Sequence, residues 1–237
     1  MLISKVSFKK EAFSKKSKIT KNMTEEKMRD FIICPVREST EAEKAFVANY
    51  VSRLENAGCL VHNPPRDTKQ DGDPIGLRIC MDNREAVRNS NTVRLYFNPT
   101  SQGTYFDLGM TLMKNKPLFV INPEILANNL DEPMSRLLFE YAFNTDKGLI
   151  PKNHSCIKDF DKLQDKISLS DSVTYEWKNN NRDFLFNFGM AFMAGKPIIL
   201  SNRDYVKTQK TPHKSFQNVL LELDFAHSRV LCPNSVL

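Results

Sequence analysis

Two acids, Asp82 and Asp107, stand on either side of a strand-like segment and carry the chemical interest of this 237-residue chain. Asp107 follows the turn Asn98-Pro99-Thr100-Ser101-Gln102-Gly103-Thr104, which separates a strand pattern from a helix pattern. Gly103 offers that turn a backbone path closed to other residues, and the helix beyond presents unpaired amides at its positive dipole end. A turn of this kind at the carboxyl end of a parallel strand is where α/β sheets take anionic ligands. Asp107 lies three residues after Thr104, on what reads as the first helical turn, where an acid also serves capping and dipole needs. Asp82, in Cys80-Met81-Asp82-Asn83-Arg84, reads as helical, with a pairing to Arg84 or Arg88 as its simplest alternative. If both carboxylates reach one cleft they divide labour, one attacking or stabilising a sugar carbon while the other handles a proton. Arg37, just past the first strand, is suited to a phosphate or carboxylate, or is an ordinary exposed loop arginine.

The elements that must position these groups follow from hydrophobic patterning. Phe31–Cys34 reads as a buried strand ending at Pro35. Ser39 or Thr40 caps a helix bearing Phe46, Val47, Tyr50, Val51 and Leu54 on one face, and Gly58 stops it. Cys59–His62 reads as a second strand, broken by Pro64-Pro65 and followed by a polar loop from Arg66 to Pro74. Then come a helix over Ile75–Asn89, a strand over Thr92–Phe97, a helix over Thr104–Asn115 and a strand over 117–121. This alternation predicts the α/β class, with a parallel sheet covered by helices on both faces.

A shift of 80 residues lays Ser90–Asn122 over Ser170–Asn202 without a gap. Nine positions match: Ser90, Val93, Phe106, Gly109, Met110, Met113, Lys116, Pro117 and Asn122. With two extra residues the match continues, Leu138, Glu140 and Phe143 falling on Leu220, Glu222 and Phe225. The second copy has no equivalent of the first two strands, so the repeat is partial. It is also degenerate. Asn187 stands in the column of Asp107, and the turn Asn179–Asp183 lacks the glycine. The expected organisation is a basic, poorly ordered tail over 1–29, an α/β domain over 30–145, and the partial repeat over 146–237 packed on the first.

Composition narrows the partners. The net charge of +6 resides in residues 1–22, which hold seven lysines and one acid, leaving 27 basic and 27 acidic residues elsewhere. The body is neutral, which ranks a nucleic-acid-binding role last. No apolar run approaches the ~18 residues a membrane helix needs. The five cysteines form neither a C-x-x-C pair nor a disulfide framework, which suits a reducing, cytoplasmic setting. His62, His154, His213 and His227 are too dispersed to suggest a zinc site, so no metal is expected.

The segments "FIICPVRES", "MDNREAVRNSNTVRLYFN" and "TSQGTYFDLGMTLMKNKPLFVIN" together resemble the nucleoside 2-deoxyribosyltransferase-like family, which includes the 2'-deoxynucleoside 5'-phosphate N-hydrolases. The resemblance spans about residues 30–122 in order. It implies a Rossmann-like fold that cleaves or transfers the N-glycosidic bond of a 2'-deoxyribonucleoside or its 5'-monophosphate, without metal or organic cofactor. It implies Asp107 as the carboxylate attacking the anomeric carbon and Asp82 as the assisting acid. Ser101 and Gly103 then hold phosphate, with Arg37 beside them and Pro35, Asn98 and Thr104 completing the substrate-binding set. Members associate and complete each other's pockets, so the resemblance also implies a homo-oligomer, or an intrachain pseudo-dimer made by the second copy. The family places Glu where this chain has Asp107, one methylene or roughly 1.5 Å shorter. Either the backbone moves closer, or the substrate differs, or the chain binds nucleotides without cleaving them. That last case is the alternative function, a nucleotide-sensing module in which Asp107 accepts ribose hydroxyls.

Overall fold

The computed structural model describes residues 27–37, 39–146, 155–178 and 181–231. Most of the expected basic tail, residues 1–26, lies outside them, and Arg29 and Asp30 already belong to the first strand. β1 (Arg29–Ile33), β2 (Leu60–His62), β3 (Thr92–Leu95) and β4 (Leu118–Val120) form one parallel sheet in the order β2-β1-β3-β4. The register sets Phe31 against His62 on one side and against Val93 on the other.

Alternation along these strands supplies two cores. Phe31, Ile33, Val93, Leu95 and Phe97 join one apolar cluster, while Ile32, Cys34 and Tyr96 meet Val47 and Val51 of α1 (Glu41–Asn56) in the other. The sheet is therefore covered on both faces. Thr40 is the cap of α1: its hydroxyl accepts from the Glu43 amide at 3.2 Å, and the Glu43 carboxylate accepts from the Thr40 amide at 2.8 Å.

The polar stretch after β2 is less irregular than its composition suggests. Pro64–Asp67 forms one helical turn, α2, because proline suits a first helical position and the Asp67 carboxylate accepts from the Asn63 amide at 2.7 Å. Next come α3 (Leu77–Asn89), α4 (Gln102–Met113), α5 (Pro123–Ala127) and α6 (Pro133–Asp146). The remaining elements are α7 (Ser155–Leu169), β5 (Val173–Tyr175), α8 (Arg182–Ala194), β6 (Ile198–Leu200), α9 (Arg203–Thr208) and α10 (Phe216–Leu231). β5 and β6 pair in parallel as a separate two-stranded sheet.

The two halves meet where α4 crosses α8. A Cβ on Gly109 would fall 2.0 Å from the carbonyl oxygen of Phe186, and one on Gly189 would fall 2.0 Å from that of Phe106. Only hydrogen at both positions lets the backbones come so close. Phe106 adds ring contacts to Phe188, Phe192 and Phe216 at 5.0, 5.5 and 4.9 Å. Polar bonds recur 80 residues apart. The Lys116 ammonium donates to the Arg88 and Ser90 carbonyls, and the Lys196 ammonium to those of Ser168 and Ser170. Asn122 brackets the Phe97 backbone, at 2.7 and 2.8 Å, as Asn202 brackets that of Trp177, at 3.0 and 2.7 Å. No helix among the described residues is long and apolar enough to cross a membrane.

Candidate active site

From β1 the chain runs outward to β2, then returns to place β3 on β1's other side. Connections leaving in opposite directions from neighbouring strands open a crevice at their carboxyl ends. A cleft of about 290 Å³ lies there. Pro35 and Arg37 reach it from the end of β1, Cys80 and Asn83 from α3, Ser101, Gly103 and Asp107 from α4, and Lys214 and Phe216 from the second half.

Asp107 is 7% exposed. Because α4 begins at Gln102 rather than Thr104, Asp107 sits in the second turn, beyond reach of the helix's first amides. It is not a capping acid. Burial pushes its carboxyl up to about 7, and the Asn83 amide, donating at 3.5 Å, offsets part of that rise. An acid of this kind exchanges its proton near neutral pH. The neighbouring thiols do not: burial and the Asp107 charge push Cys34 up to about 12, and burial, Asp107 and Asp73 raise Cys80 as well. Both stay protonated and serve as apolar walls.

The cleft is also bordered by positive groups. Ser101 caps α4, its hydroxyl accepting from the Thr104 amide at 3.4 Å, so the helix's positive end opens beside the cleft. Gly103 has no positive φ, contrary to the expectation of a special backbone path; it is an ordinary helical residue. A Cβ there would meet nothing within 4 Å among the described residues, so the glycine leaves space on its side of the cleft. Arg37 is exposed and donates to the Lys214 carbonyl at 3.5 Å, while the Lys214 ammonium donates to the Gln70 carbonyl at 2.5 Å. Two cations thus border the cleft.

Of the residues singled out in the sequence, Asp107, Pro35, Arg37, Ser101 and Gly103 line one cavity. Three do not. Asp82 is exposed on α3, because Cys80, Asn83 and Val87 form that helix's buried face. It pairs with neither arginine suggested for it: Arg84 donates to the Phe192 carbonyl and Arg88 to Glu85. Asn98 accepts from the Thr100 amide and hydroxyl, at 2.9 and 2.7 Å, and shapes the turn. Thr104 is 1% exposed, and its buried hydroxyl has no hydrogen-bond partner among the described residues. Sequence reading missed Asn83, although the 80/83/87 spacing signals its face, and missed Lys214, for which no local signal exists.

The corresponding position in the second half is chemically different. Asn187 is half-buried, and its backbone carbonyl accepts from the Tyr175 hydroxyl at 2.8 Å. Asn181 caps α8, accepting from the Phe184 amide at 2.7 Å; Asn179 and Asn180 lie outside the described residues. A hollow of about 450 Å³ between the starts of α4 and α8 is bordered by the Arg182–Glu132 ion pair, at 3.0 Å. Among the described residues no group of three His, Cys, Asp or Glu side chains gathers as a metal site. No protein-family model, curated protein or solved structure matches this chain.

Proposed function

We propose that this chain is a Rossmann-like enzyme that cleaves or transfers the N-glycosidic bond of a 2'-deoxyribonucleoside or its 5'-monophosphate, with Asp107 as nucleophile. One observation carries the reading: a buried carboxyl faces a cleft whose border holds a helix N-terminus and two cations. A sugar phosphate fits that polarity, its anomeric carbon toward Asp107 and its phosphate toward Ser101, Arg37 and Lys214. The ionised Asp107 forms a bond to the anomeric carbon as the bond to the base breaks. The base leaves with the bonding electrons and takes its proton from water, since Asp82 does not border the cleft. Water then opens the sugar ester and restores the carboxylate. A second base doing so instead makes the reaction a transfer.

The second half is read as a fused partner. The mutual approach of Gly109 and Gly189 and the lysine and asparagine bonds repeated 80 residues apart support an intrachain pseudo-dimer. Lys214 and Phe216 are its contributions to the cleft. A second functional reading, nucleotide binding without cleavage, draws on Asp107 being the one carboxyl among the described cleft-lining residues.

Base release followed by chromatography separates the two. Deoxynucleosides, their 5'-monophosphates and ribose counterparts would be tested beside Asp107→Ala. Release that disappears in the variant supports the enzyme, and an added free base distinguishes transfer from hydrolysis. No release, with tight binding of one member, supports the sensing module.

A further inference from the structure

Behind Asp107 the buried polar groups form a chain that ends at a histidine. Asn83 donates to the Asp107 carboxylate at 3.5 Å, and its own carbonyl accepts from the Thr68 hydroxyl at 2.9 Å. That hydroxyl lies 3.0 Å from Nε2 of His62. Thr68 and Asn83 are 3% and 7% exposed, so water is a poor substitute partner. His62 is half-buried, stacked on Phe31 of β1 with ring centroids 5.5 Å apart and planes 16° apart.

With the Asn83 amide donating to Asp107, proton counting gives the polarity of the rest of the chain. Thr68 has one hydroxyl proton and gives it to Asn83, so toward His62 it can only accept, and Nε2 must carry hydrogen. Every donor then points at Asp107, the arrangement an ionised carboxylate needs. The reverse arrangement is equally complete: a protonated Asp107 donates to a turned Asn83 carbonyl, Asn83 donates to Thr68, and Thr68 donates to a bare Nε2. Mixed arrangements leave two donors or two acceptors facing each other in a buried site, which is costly.

We propose that His62 is a positioning residue for Asp107, its ring tautomer coupled through Thr68 and Asn83 to the proton on the cleft carboxyl. The proposal rests on Asp107 being the acting group of the cleft. Other charges bear on both ends. Asp67 and Arg66 of α2 and Asp82 of α3 face His62, while Arg37 and Lys214 border the cleft and Asp73 acts on neighbouring Cys80. Burial, the largest effect, lowers the His62 pKa, whereas it raises that of Asp107. His62 is therefore still neutral when Asp107 takes up its proton, and its tautomer is free to respond. The exposed Asp82 finds its place here, as part of the field at the far end of the chain.

The test is an NMR titration of the ligand-free full chain, following the ¹⁵N-labelled imidazole and the ¹³C-labelled Asp carboxyl carbons, with Asp107→Asn identifying the Asp107 signal. In the wild type, His62 should carry its proton on Nε2 above the Asp107 titration and move toward Nδ1–H as Asp107 protonates. Thr68→Val should remove that step from His62 and raise the Asp107 midpoint by roughly half a pH unit or more; Thr68→Ser should restore both. An Nδ1–H ring at high pH in the wild type overturns the proposal, as does an Asp107 midpoint equal in the wild type and both variants. These readings need no turnover. Absent base release with the coupling present refutes the catalytic reading alone, and base release without the coupling refutes the His62 proposal alone.

Discussion

Gly109 and Phe186 are in backbone contact, the missing Cβ of the glycine falling 2.0 Å from the Phe186 carbonyl oxygen. Gly189 and Phe106 repeat the relationship in the opposite sense. A carbonyl within a helix cannot swing aside as a flexible side chain would, so Gly109→Ala must push α4 and α8 apart. The expected cost is about 1–3 kcal/mol, as for an overpacked core, read as a lower midpoint in chemical denaturation. Gly189→Ala should cost a similar amount. Combining the two should cost less than their sum, because the first substitution has already separated the helices.

That contact also shows what was legible in the sequence. The shared Gly in "FDLGM" and "FNFGM" marked the two positions, but periodicity describes one helix at a time and says nothing of which helices cross. α7 was not read at all, but the strands β1 to β4 and the helices α1, α3 and α4 follow from local pattern, because apolar alternation and capping residues act within a few residues of themselves. α2 did not, since two prolines read equally as a strand break and a helix start. In the cleft, Asp107 and its turn were visible because they are contiguous. Asp82 was chosen over Asn83 on chemical type and on the family resemblance, and one residue along a helix is a rotation of about 100°, enough to leave the buried face. Lys214 enters from far along the chain, a relation fixed only by tertiary packing.

Gly103 separates folding from binding. Its φ is ordinary and a Cβ would meet nothing within 4 Å among the described residues, so Gly103→Ala should leave the fold intact. It should stabilise α4 by about 0.5–1 kcal/mol, the usual helix preference for alanine. The added methyl enters the cleft beside Ser101, however, and takes the space a phosphate would use. Binding of a 5'-monophosphate, followed by calorimetry, should weaken at least tenfold while the denaturation midpoint rises. Weakening equal for nucleoside and monophosphate would move the methyl's effect away from the phosphate end.

The neighbours on α3 offer a sharp comparison. Asp82→Ala removes an exposed carboxylate outside the cleft and should alter base release by less than about threefold. Asn83→Ala removes the donor to Asp107 and the acceptor for Thr68 together. It should lower kcat tenfold or more, and destabilise the fold by about 1–3 kcal/mol through the buried groups left unpaired. The reverse order of effects would return the assisting role to Asp82.

Asp107 should impose a pH dependence opposite to that of an ordinary surface carboxylate. Its folded pKa, about 7, lies above the unfolded value of 3.8, so between those limits the folded state binds the extra proton. Stability from this group is therefore fully present below the unfolded value and lost as pH rises through 7, an effect of order a few kcal/mol. Asp107→Asn removes the titration while keeping a similar shape. The variant should be more stable than the wild type at pH 8, and the difference should shrink steadily toward pH 5 in paired denaturation curves. Base release needs the ionised form and should run the other way, rising up to tenfold per unit below pH 7 and levelling above it. A rate that instead falls as pH rises through 7 would mean that the protonated carboxyl is the working form, and would exclude Asp107 as nucleophile.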